Sequence, residues 1–344
     1  MRILVSMQHP ADVHFFRNAL ELLDQQGHEI RVTVREKDIL LDLLDHYDVD
    51  HTLLAGPAET FLELASVQAR YELDVFREVR RFEPDVITAV SEPAVAHAGV
   101  LTDTPSVVFS DTEHATVQNA LAYPFADRVV TPECYREDIG AKQVRYPGYQ
   151  ELAYLYPDRF TPDKRIREVV VDDPENPFVV LRLVSWNSAH DIGHSGFRDS
   201  SEVVSKLERA GVEVKISAEG PLPPSIESKR LNIPSDRIHD VLASADLFLG
   251  ESATMAAESA ILGTPAVYVS TIRLGYLDEL ESSYGLVSNH SGSNRQERGV
   301  ETALELLSEE TTLWTERRNE LLTETVDTTD VIVDQLTSAT AGAD

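Results

Sequence analysis

Short apolar runs alternate with longer amphipathic segments along most of the chain. Apolar runs of this length, flanked by polar and turn-forming residues, predict strands buried on both faces, and the segments between them predict helices. The predicted strands lie at residues 3–5, 29–34, 51–54, 86–90, 106–109 and 129–130 in the first half, and at 178–184, 212–217, 247–249 and 266–269 in the second. Strand and helix recur about every 25 residues, which predicts an α/β fold with parallel sheets covered by helices on both faces.

The alternation breaks at residues 145–163, which hold three prolines and five aromatic residues. This segment is too apolar for a linker in free solvent, so we expect an ordered crossover between two domains. The expected organisation is an N-terminal domain over residues 1–155 and a C-terminal domain over 156–322. A final helix within residues 323–344 is expected to cross back onto the N-terminal domain.

The 344 residues carry a net charge of -29, and the acidic residues are scattered along the chain. This pattern indicates a solvating acidic surface, as in proteins of the salt-rich cytoplasm of a halophilic archaeon. The sequence has no basic patch, which argues against nucleic acid as a partner. Its one cysteine, Cys134, allows no internal disulfide and no thiolate metal cluster. No stretch reaches the roughly 18–20 apolar residues of a membrane span and no signal peptide is present, so we expect a cytoplasmic protein.

The segment ADLFLGESATMAAESAILGTPAVYV, residues 245–269, has the pattern strand, tight loop, helix, turn and strand. Gly250 and Ser252 belong to a small, polar loop that can turn sharply and stay open to a ligand. The helix predicted from about Thr254 would place its N-terminus at the carboxyl ends of the strands, where it favours a phosphate. Glu258, one turn further, is either a ligand of a ribose diol or a solvated helical residue.

The first loop, SMQHPAD, lacks the glycines of a dinucleotide-binding fingerprint, which argues against NAD. His9 follows the first predicted strand, and His14 lies near the start of the next predicted helix, residues 13–25. A histidine there could act as a base or hold an acceptor hydroxyl. The alternative is that both histidines only cap or pack against the helix.

Two further polar clusters directly follow predicted strands. Glu92 is either catalytic or a stabiliser of the next helix N-terminus. In the sequence SDTEH, helix capping accounts for one residue, either Asp111 or Thr112, which leaves Glu113 or His114 as a site residue.

The segment SWNSAHDIGHSGF follows the first strand of the second half and contains Ser185, Asn187 and His190. Its glycines favour a loop, and hydrogen bonding to phosphate or sugar fits it better than a metal site. Glu219 ends another predicted strand and either lines a nucleobase pocket or belongs to a plain turn. The chain has no GxSxG elbow and no GxxxxGK[ST] loop, which disfavours serine hydrolases and P-loop kinases.

Residues 245–269 resemble the donor-binding segment of GT-B glycosyltransferases and of non-hydrolysing UDP-N-acetylglucosamine 2-epimerases. The whole chain resembles the DUF354 family through HPADVHFFRNAL, SDTEHATVQNALAYPFADRVVTP, YPGYQELAYLYPDRFTPD, LVSWNSAHDIGHSGF and GESATMAAESAILGTPA. The resemblance implies a GT-B-like fold, in which two Rossmann-like domains face a central cleft. It places Glu258 on the nucleotide ribose and Ser252 and Thr254 on phosphate, with a nucleotide sugar, UDP-linked, as substrate and neither metal nor cofactor.

The resemblance supports different reactions for the same residues. In a glycosyltransferase, His9 or Glu113 would activate a hydroxyl of a glycan or lipid-linked acceptor, with no metal. In a 2-epimerase, Asp111 and Glu113 would move the proton at C2 of the sugar, near His190. The sequence SWNSAHD stands where the epimerases carry an HREN-type motif, so we favour the transferase. A non-catalytic protein that binds nucleotide sugars is a third hypothesis.

Overall fold

The computed structural model describes residues 1–56, 61–184 and 196–339, with the backbone alone at 61–65. The chain divides into two compact units. Unit 1 comprises Met1–Arg159 and Val326–Asp344, and unit 2 comprises Phe160–Thr325. The sequence analysis expects these two boundaries at 155/156 and 322/323.

Unit 1 is built on a seven-stranded parallel sheet with the order β3-β2-β1-β4-β5-β6-β7. Its strands are β1 (Arg2–Met7), β2 (Glu29–Arg35), β3 (His51–Ala55), β4 (Val86–Val90), β5 (Ser106–Phe109), β6 (Arg128–Pro132) and β7 (Gln143–Tyr146). The strand order reverses between β1 and β4, which pair directly. The loops that leave these two strands diverge, which makes their carboxyl ends the favoured position for a ligand.

Helices cover both faces of this sheet. They are α1 (Pro10–Gln25), α2 (Leu40–His46), α3 (Phe61–Phe82), α4 (Pro93–Thr102), α5 (Thr116–Ala122), α6 (Leu152–Leu155) and, at the end of the chain, α14 (Thr328–Ser338). Helices α3 and α4 bury one core with β1 and β4, formed mainly by Leu4, Tyr71, Val75, Ile87 and Val95. The apolar runs of these strands therefore have the two-sided burial that their composition predicts.

Helix α1 begins at Pro10, three residues before the predicted start. Pro10 suits the first helical position, where its missing N–H costs no hydrogen bond. His9 Nδ1 accepts a hydrogen bond from the Ala11 N–H at 3.2 Å, and Asp12 Oδ2 accepts one from the His9 N–H at 2.9 Å. This reciprocal cap extends the helix to His9, which therefore lies at its N-cap rather than within a loop.

The returning helix α14 packs against α1 and α6. Thr328 Oγ1 donates to the Tyr149 carbonyl at 2.7 Å, and Thr329 Oγ1 donates to the Ala153 carbonyl at 2.6 Å. Tyr149 and the residues of α6 are buried. The aromatic segment around residue 150 is thus ordered, as its composition predicts, and it holds the end of the chain on unit 1.

Unit 2 is built on a five-stranded parallel sheet with the order β12-β11-β10-β8-β9. Its strands are β8 (Phe178–Leu183), β9 (Glu213–Ala218), β10 (Leu247–Gly250), β11 (Ala266–Val269) and β12 (Val287–His290). Its helices are α7 (Ile166–Val170), α8 (Ser200–Arg209), α9 (Ile238–Ser244), α10 (Ala253–Leu262), α11 (Gly275–Ser282), α12 (Arg295–Leu306) and α13 (Thr311–Glu324). Here the strand order reverses between β8 and β10, which pair in register.

Candidate functional site

Three buried side chains meet where the strand order of unit 1 reverses. Ser6, in β1, donates its hydroxyl to Glu92 Oε1 at 3.1 Å, and Glu92 directly precedes α4. The Tyr71 hydroxyl, from α3, lies 2.5 Å from Ser6 Oγ. Each of the three residues is at most 3% exposed. The polar groups of two neighbouring strand ends are therefore joined below the surface at the favoured position for a ligand.

Burial raises the pKa of Glu92 to about 8, although hydrogen bonds from Ser6 and Gln8 act in the opposite direction. Glu92 is therefore mostly protonated at neutral pH. Glu92 is the N-cap residue of α4, but its side chain makes no hydrogen bond to the N-terminus of this helix. Burial also raises the pKa of Tyr71 well above its usual range, so both groups are neutral.

Arg35, the last residue of β2, lies beside this pair. Its Nη1 donates to Gln8 Oε1 at 3.4 Å and to Gln68 Oε1 at 3.1 Å. Its Nε is buried and has no hydrogen-bond partner among the described residues. Burial lowers the pKa of Arg35, whereas Tyr71 and Glu92 act to raise it.

Two further carboxyl groups with raised pKa values lie at the same sheet edge. Burial raises the pKa of Asp12, in the first turn of α1, to about 6, and the charge of Asp111 adds to the shift. Burial likewise raises the pKa of Asp111 to about 6, and the charge of Glu113 adds to this shift. The hydroxyl of Thr112 donates a hydrogen bond to Asp111 at 2.6 Å and opposes the shift. Carboxyl groups of this kind exchange protons close to neutral pH.

A hydroxyl network fixes the loop that carries Asp111. Ser91 Oγ donates to Ser110 Oγ at 2.7 Å, and the Tyr123 hydroxyl donates to the same oxygen at 2.8 Å. Ser91 has a left-handed backbone with φ 44°, which is strained for a residue other than glycine. Glu113 Oε1 accepts a hydrogen bond from the Arg136 N–H at 3.2 Å. The predicted polar cluster after β5 is thus held by partners from the residues that follow β4, α5 and β6.

The two predicted histidines of the first loop lie in different surroundings. His9 is exposed at the N-cap of α1. His14 is only 7% exposed, and its ring lies 5.3 Å from that of Tyr154 and 5.9 Å from that of Tyr47. Aromatic packing accounts for the position of His14.

In unit 2, helix α10 begins at the carboxyl end of β10. Ser252 is its N-cap residue and accepts the Met255 N–H at the long distance of 3.4 Å. Thr254 lies in the first turn. Gly250 ends β10, and a Cβ at this position would lie 2.6 Å from Phe248 Cζ and 2.7 Å from Arg182 Cβ. The glycine is therefore required by close packing within the sheet, and not by the sharp turn that the sequence analysis expects.

Glu258 lies one turn into α10 and is only 5% exposed. Its Oε1 is 2.9 Å from His239 Nε2, and His239, in α9, is 1% exposed. The buried pair joins α9 to α10, an arrangement that a structural role also explains. Glu219, predicted as a binding residue, is half-exposed after β9 and accepts a hydrogen bond from Arg182 Nη2 at 2.5 Å.

Glu251 was not predicted from the sequence, yet it holds two separate parts of the chain together. Its Oε2 accepts the Val184 N–H at 2.7 Å, and its Oε1 accepts the Phe197 N–H at 2.6 Å. A Cβ on Gly196 would overlap the same carboxylate, so this position has no room for a side chain. The carboxylate of Glu251 therefore fixes the chain immediately after β8 against the segment that leads into α8.

The remaining predicted residues of this region, Ser185, Asn187 and His190, lie outside the described residues.

A family model described as a protein of unknown function, DUF354, matches residues 1–341. The chain belongs to the DUF354 family. An uncharacterized protein of Methanocaldococcus jannaschii, MJ0665, is 22% identical over 281 residues, which cover 77% of this chain and 80% of the relative.

Solved structures with similar folds include members of two enzyme groups. The UDP-GlcNAc 2-epimerase of Neisseria meningitidis, solved with UDP-GlcNAc, matches with a TM-score of 0.67 and 14% identity over 98% of this chain and 100% of its own. The spinosyn rhamnosyltransferase SpnG, solved with spinosyn aglycone, matches with a TM-score of 0.63 and 14% identity over 96% and 99%. Together with its two parallel-sheet units, this similarity shows that the DUF354 chain has a GT-B fold.

The described part of this DUF354 chain lacks two features, a cluster of metal ligands and a membrane-spanning helix. Residues 1–56, 61–184 and 196–339 contain no group of three or more histidine, cysteine, aspartate or glutamate residues that could hold a metal ion. No helix within these ranges is long and apolar enough to cross a membrane.

Proposed function

We propose that this DUF354 protein is a glycosyltransferase that uses a nucleotide sugar, with no metal ion, in the synthesis of a glycan or glycoconjugate. The observation that carries the proposal is the group of carboxyls with raised pKa values at the carboxyl edge of the unit 1 sheet. A transferase needs a base for the acceptor hydroxyl, and a base works best when its pKa lies near the working pH. Asp111, with a pKa of about 6, meets this requirement.

Asp111 is proposed to accept the proton of the acceptor hydroxyl. Its loop is fixed by the hydroxyls of Ser91 and Tyr123 on Ser110, so the carboxyl group is held in place before the substrate arrives. Glu113 acts on Asp111 through its charge, because it contributes to the raised pKa. His9 and His190 remain proposed site residues.

Unit 2 is proposed to bind the donor, a UDP-linked sugar. The N-terminus of α10, with Gly250, Ser252 and Thr254, would hold the diphosphate through backbone N–H groups and the helix dipole. The same interactions would stabilise the negative charge that develops on the departing UDP. In metal-dependent transferases a metal ion has this role. Glu258 would bind the ribose hydroxyls, with His239 fixing its carboxylate. Glu219, Ser185, Asn187 and His14 remain proposed substrate contacts.

The test is the release of UDP from UDP-sugars, measured at high salt with and without candidate acceptors. A transferase releases UDP faster when an acceptor is present and forms a new glycosidic bond. The proposal would be contradicted if no acceptor accelerated the release of UDP and if the acceptors were recovered unchanged.

A sugar-nucleotide 2-epimerase is the second candidate. The observation that favours it is that Asp12 and Asp111 both have a pKa raised to about 6, and that the charge of Asp111 contributes to the shift of Asp12. Epimerisation needs one group to remove the C2 proton and another to return it. Incubation of the protein with UDP-N-acetylglucosamine alone in D₂O distinguishes the two, because only an epimerase exchanges the C2 proton. A non-catalytic binding protein would bind the nucleotide sugar and give neither product.

A further inference from the structure

Arg35 and Arg31 lie on the same strand, four residues apart and so on the same face of the sheet. Their guanidinium groups have different partners. Arg31 Nη1 lies 3.2 Å from Glu78 Oε2, and its guanidinium packs 4.3 Å from the centre of the Phe82 ring. Among the described residues, the hydrogen bonds of the Arg35 side chain go only to the amide oxygens of Gln8 and Gln68. Arg31 therefore forms an ion pair in the fold, and Arg35 forms none with the described residues.

A partly buried guanidinium without a counter-charge is costly, because burial removes solvent that nothing charged replaces. Burial indeed lowers the pKa of Arg35. Its buried Nε makes no hydrogen bond to any described residue. Its Nη1 donates to two amide oxygens, at 3.1 and 3.4 Å. The planar fork of donors that suits a carboxylate or phosphate is thus only partly used.

Glu92 acts on Arg35 electrostatically but compensates its charge only in part. Glu92 is buried with its hydrogen bond from Ser6, and its pKa, raised to about 8, leaves it mostly protonated at pH 7. Tyr71 is neutral as well. In a protein with a net charge of -29, an anion is repelled by most of the surface, so an anion site requires local positive charge of this kind.

We propose that Arg35, supported by Gln8 and Gln68, binds an oxyanion, a phosphate or a carboxylate group, of the acceptor substrate. The assignment to an acceptor rests on the proposed transferase function, whereas the oxyanion site itself rests on the surroundings of Arg35. The acceptor class that follows is an anionic one, either a phosphate-linked or an acidic sugar.

The test measures the midpoint of thermal unfolding against inorganic phosphate, and separately against acetate, at constant ionic strength and with saturating UDP. UDP occupies any phosphate site in unit 2, so the remaining effect of phosphate reports on unit 1. Wild type should show saturable stabilisation, and Arg35→Gln should weaken the apparent affinity at least about tenfold. Arg31→Gln, on the same strand, should retain the wild-type affinity.

If phosphate alone stabilises the protein, the acceptor carries a phosphate group. If both anions stabilise it, a carboxylate group of the acceptor can bind to Arg35 as well as a phosphate group can. Absence of saturation in wild type, or equal affinity in wild type and Arg35→Gln, overturns the proposal. If Arg35→Gln does not fold, Arg35→Lys replaces the planar fork by a single ammonium and should weaken binding about threefold or more; wild-type affinity in Arg35→Lys also overturns it. UDP binding in wild type is recorded in the same experiment, and its absence contradicts the proposed transferase. In that case the difference in phosphate affinity between wild type and Arg35→Gln still tests the site at Arg35.

Discussion

Ser6 donates a hydrogen bond to Glu92 across the two strands between which the sheet of unit 1 reverses its order. The two residues are 86 positions apart in sequence and almost completely buried. The hydrogen bond joins a hydroxyl group to a carboxyl group that is neutral at pH 7, so the protonation of Glu92 is linked to the stability of the fold.

The pH dependence of stability should therefore change when Glu92 is replaced. The pKa of Glu92 is raised in the folded protein, from 4.5 to about 8. The folded state thus holds the proton more tightly, and its stabilising effect is complete below about pH 4.5 and lost as the pH rises through 8. Urea unfolding between pH 5 and 9 should show a smaller decline in Glu92→Gln than in wild type. Identical slopes in the two proteins would contradict the assignment.

The pH profile of turnover should report on Asp111. A base must be deprotonated to act, so kcat should rise with pH through about 6, the pKa of Asp111. Asp111→Asn should lower kcat by a factor of roughly 10² to 10⁴ with little change in UDP affinity. Turnover in Asp111→Asn within a few-fold of wild type would remove Asp111 from the reaction.

Glu113→Gln separates the roles of the two neighbouring carboxyls. Removing the charge of Glu113 removes one cause of the raised pKa of Asp111. The rising limb of the kcat profile should therefore move to lower pH, with activity retained. If Glu113→Gln is inactive at every pH, Glu113 itself and not Asp111 is the base.

Gly250→Ala tests the close packing at the carboxyl end of β10. The added methyl group would meet Phe248 and Arg182 at 2.6 and 2.7 Å, and overpacking of this kind costs about 1–3 kcal/mol of unfolding free energy. Gly220→Ala is the control, because a Cβ there has no atom within 4 Å. Equal unfolding midpoints in urea for both variants would show that the sheet accommodates the methyl group.

The central strands could be predicted from the sequence because each is an apolar run buried on both sides. Strands β4 and β5 have the predicted bounds, residues 86–90 and 106–109. Strands β7 (QVRY) and β12 (VSNH) were not predicted. Both lie at sheet edges and contain too few apolar residues to form an apolar run. The start of α1 was missed because histidine is an unusual N-cap residue and its partner Asp12 was counted as part of the loop.

The candidate site is less accessible to sequence reasoning because its properties depend on distant partners. The polar loops after β4 and β5 were recognised from their position after apolar runs. The neutral state of Glu92 depends on burial and on Ser6, which lies 86 residues away. The role of Glu251 could not be predicted, because the N–H groups that it binds, those of Val184 and Phe197, lie 67 and 54 residues away in sequence.

The measurement that tests the central claim most directly is titration calorimetry of UDP against wild type, Glu258→Ala and the control Glu301→Ala, an exposed residue of α12. Thermal unfolding of Glu258→Ala checks that this variant remains folded without the contact between Glu258 and His239. We predict that wild type and Glu301→Ala bind UDP alike and that Glu258→Ala binds at least about tenfold more weakly, the loss expected for hydrogen bonds to a charged group. Equal UDP affinity in folded Glu258→Ala and wild type, or no UDP binding by wild type, would contradict the account.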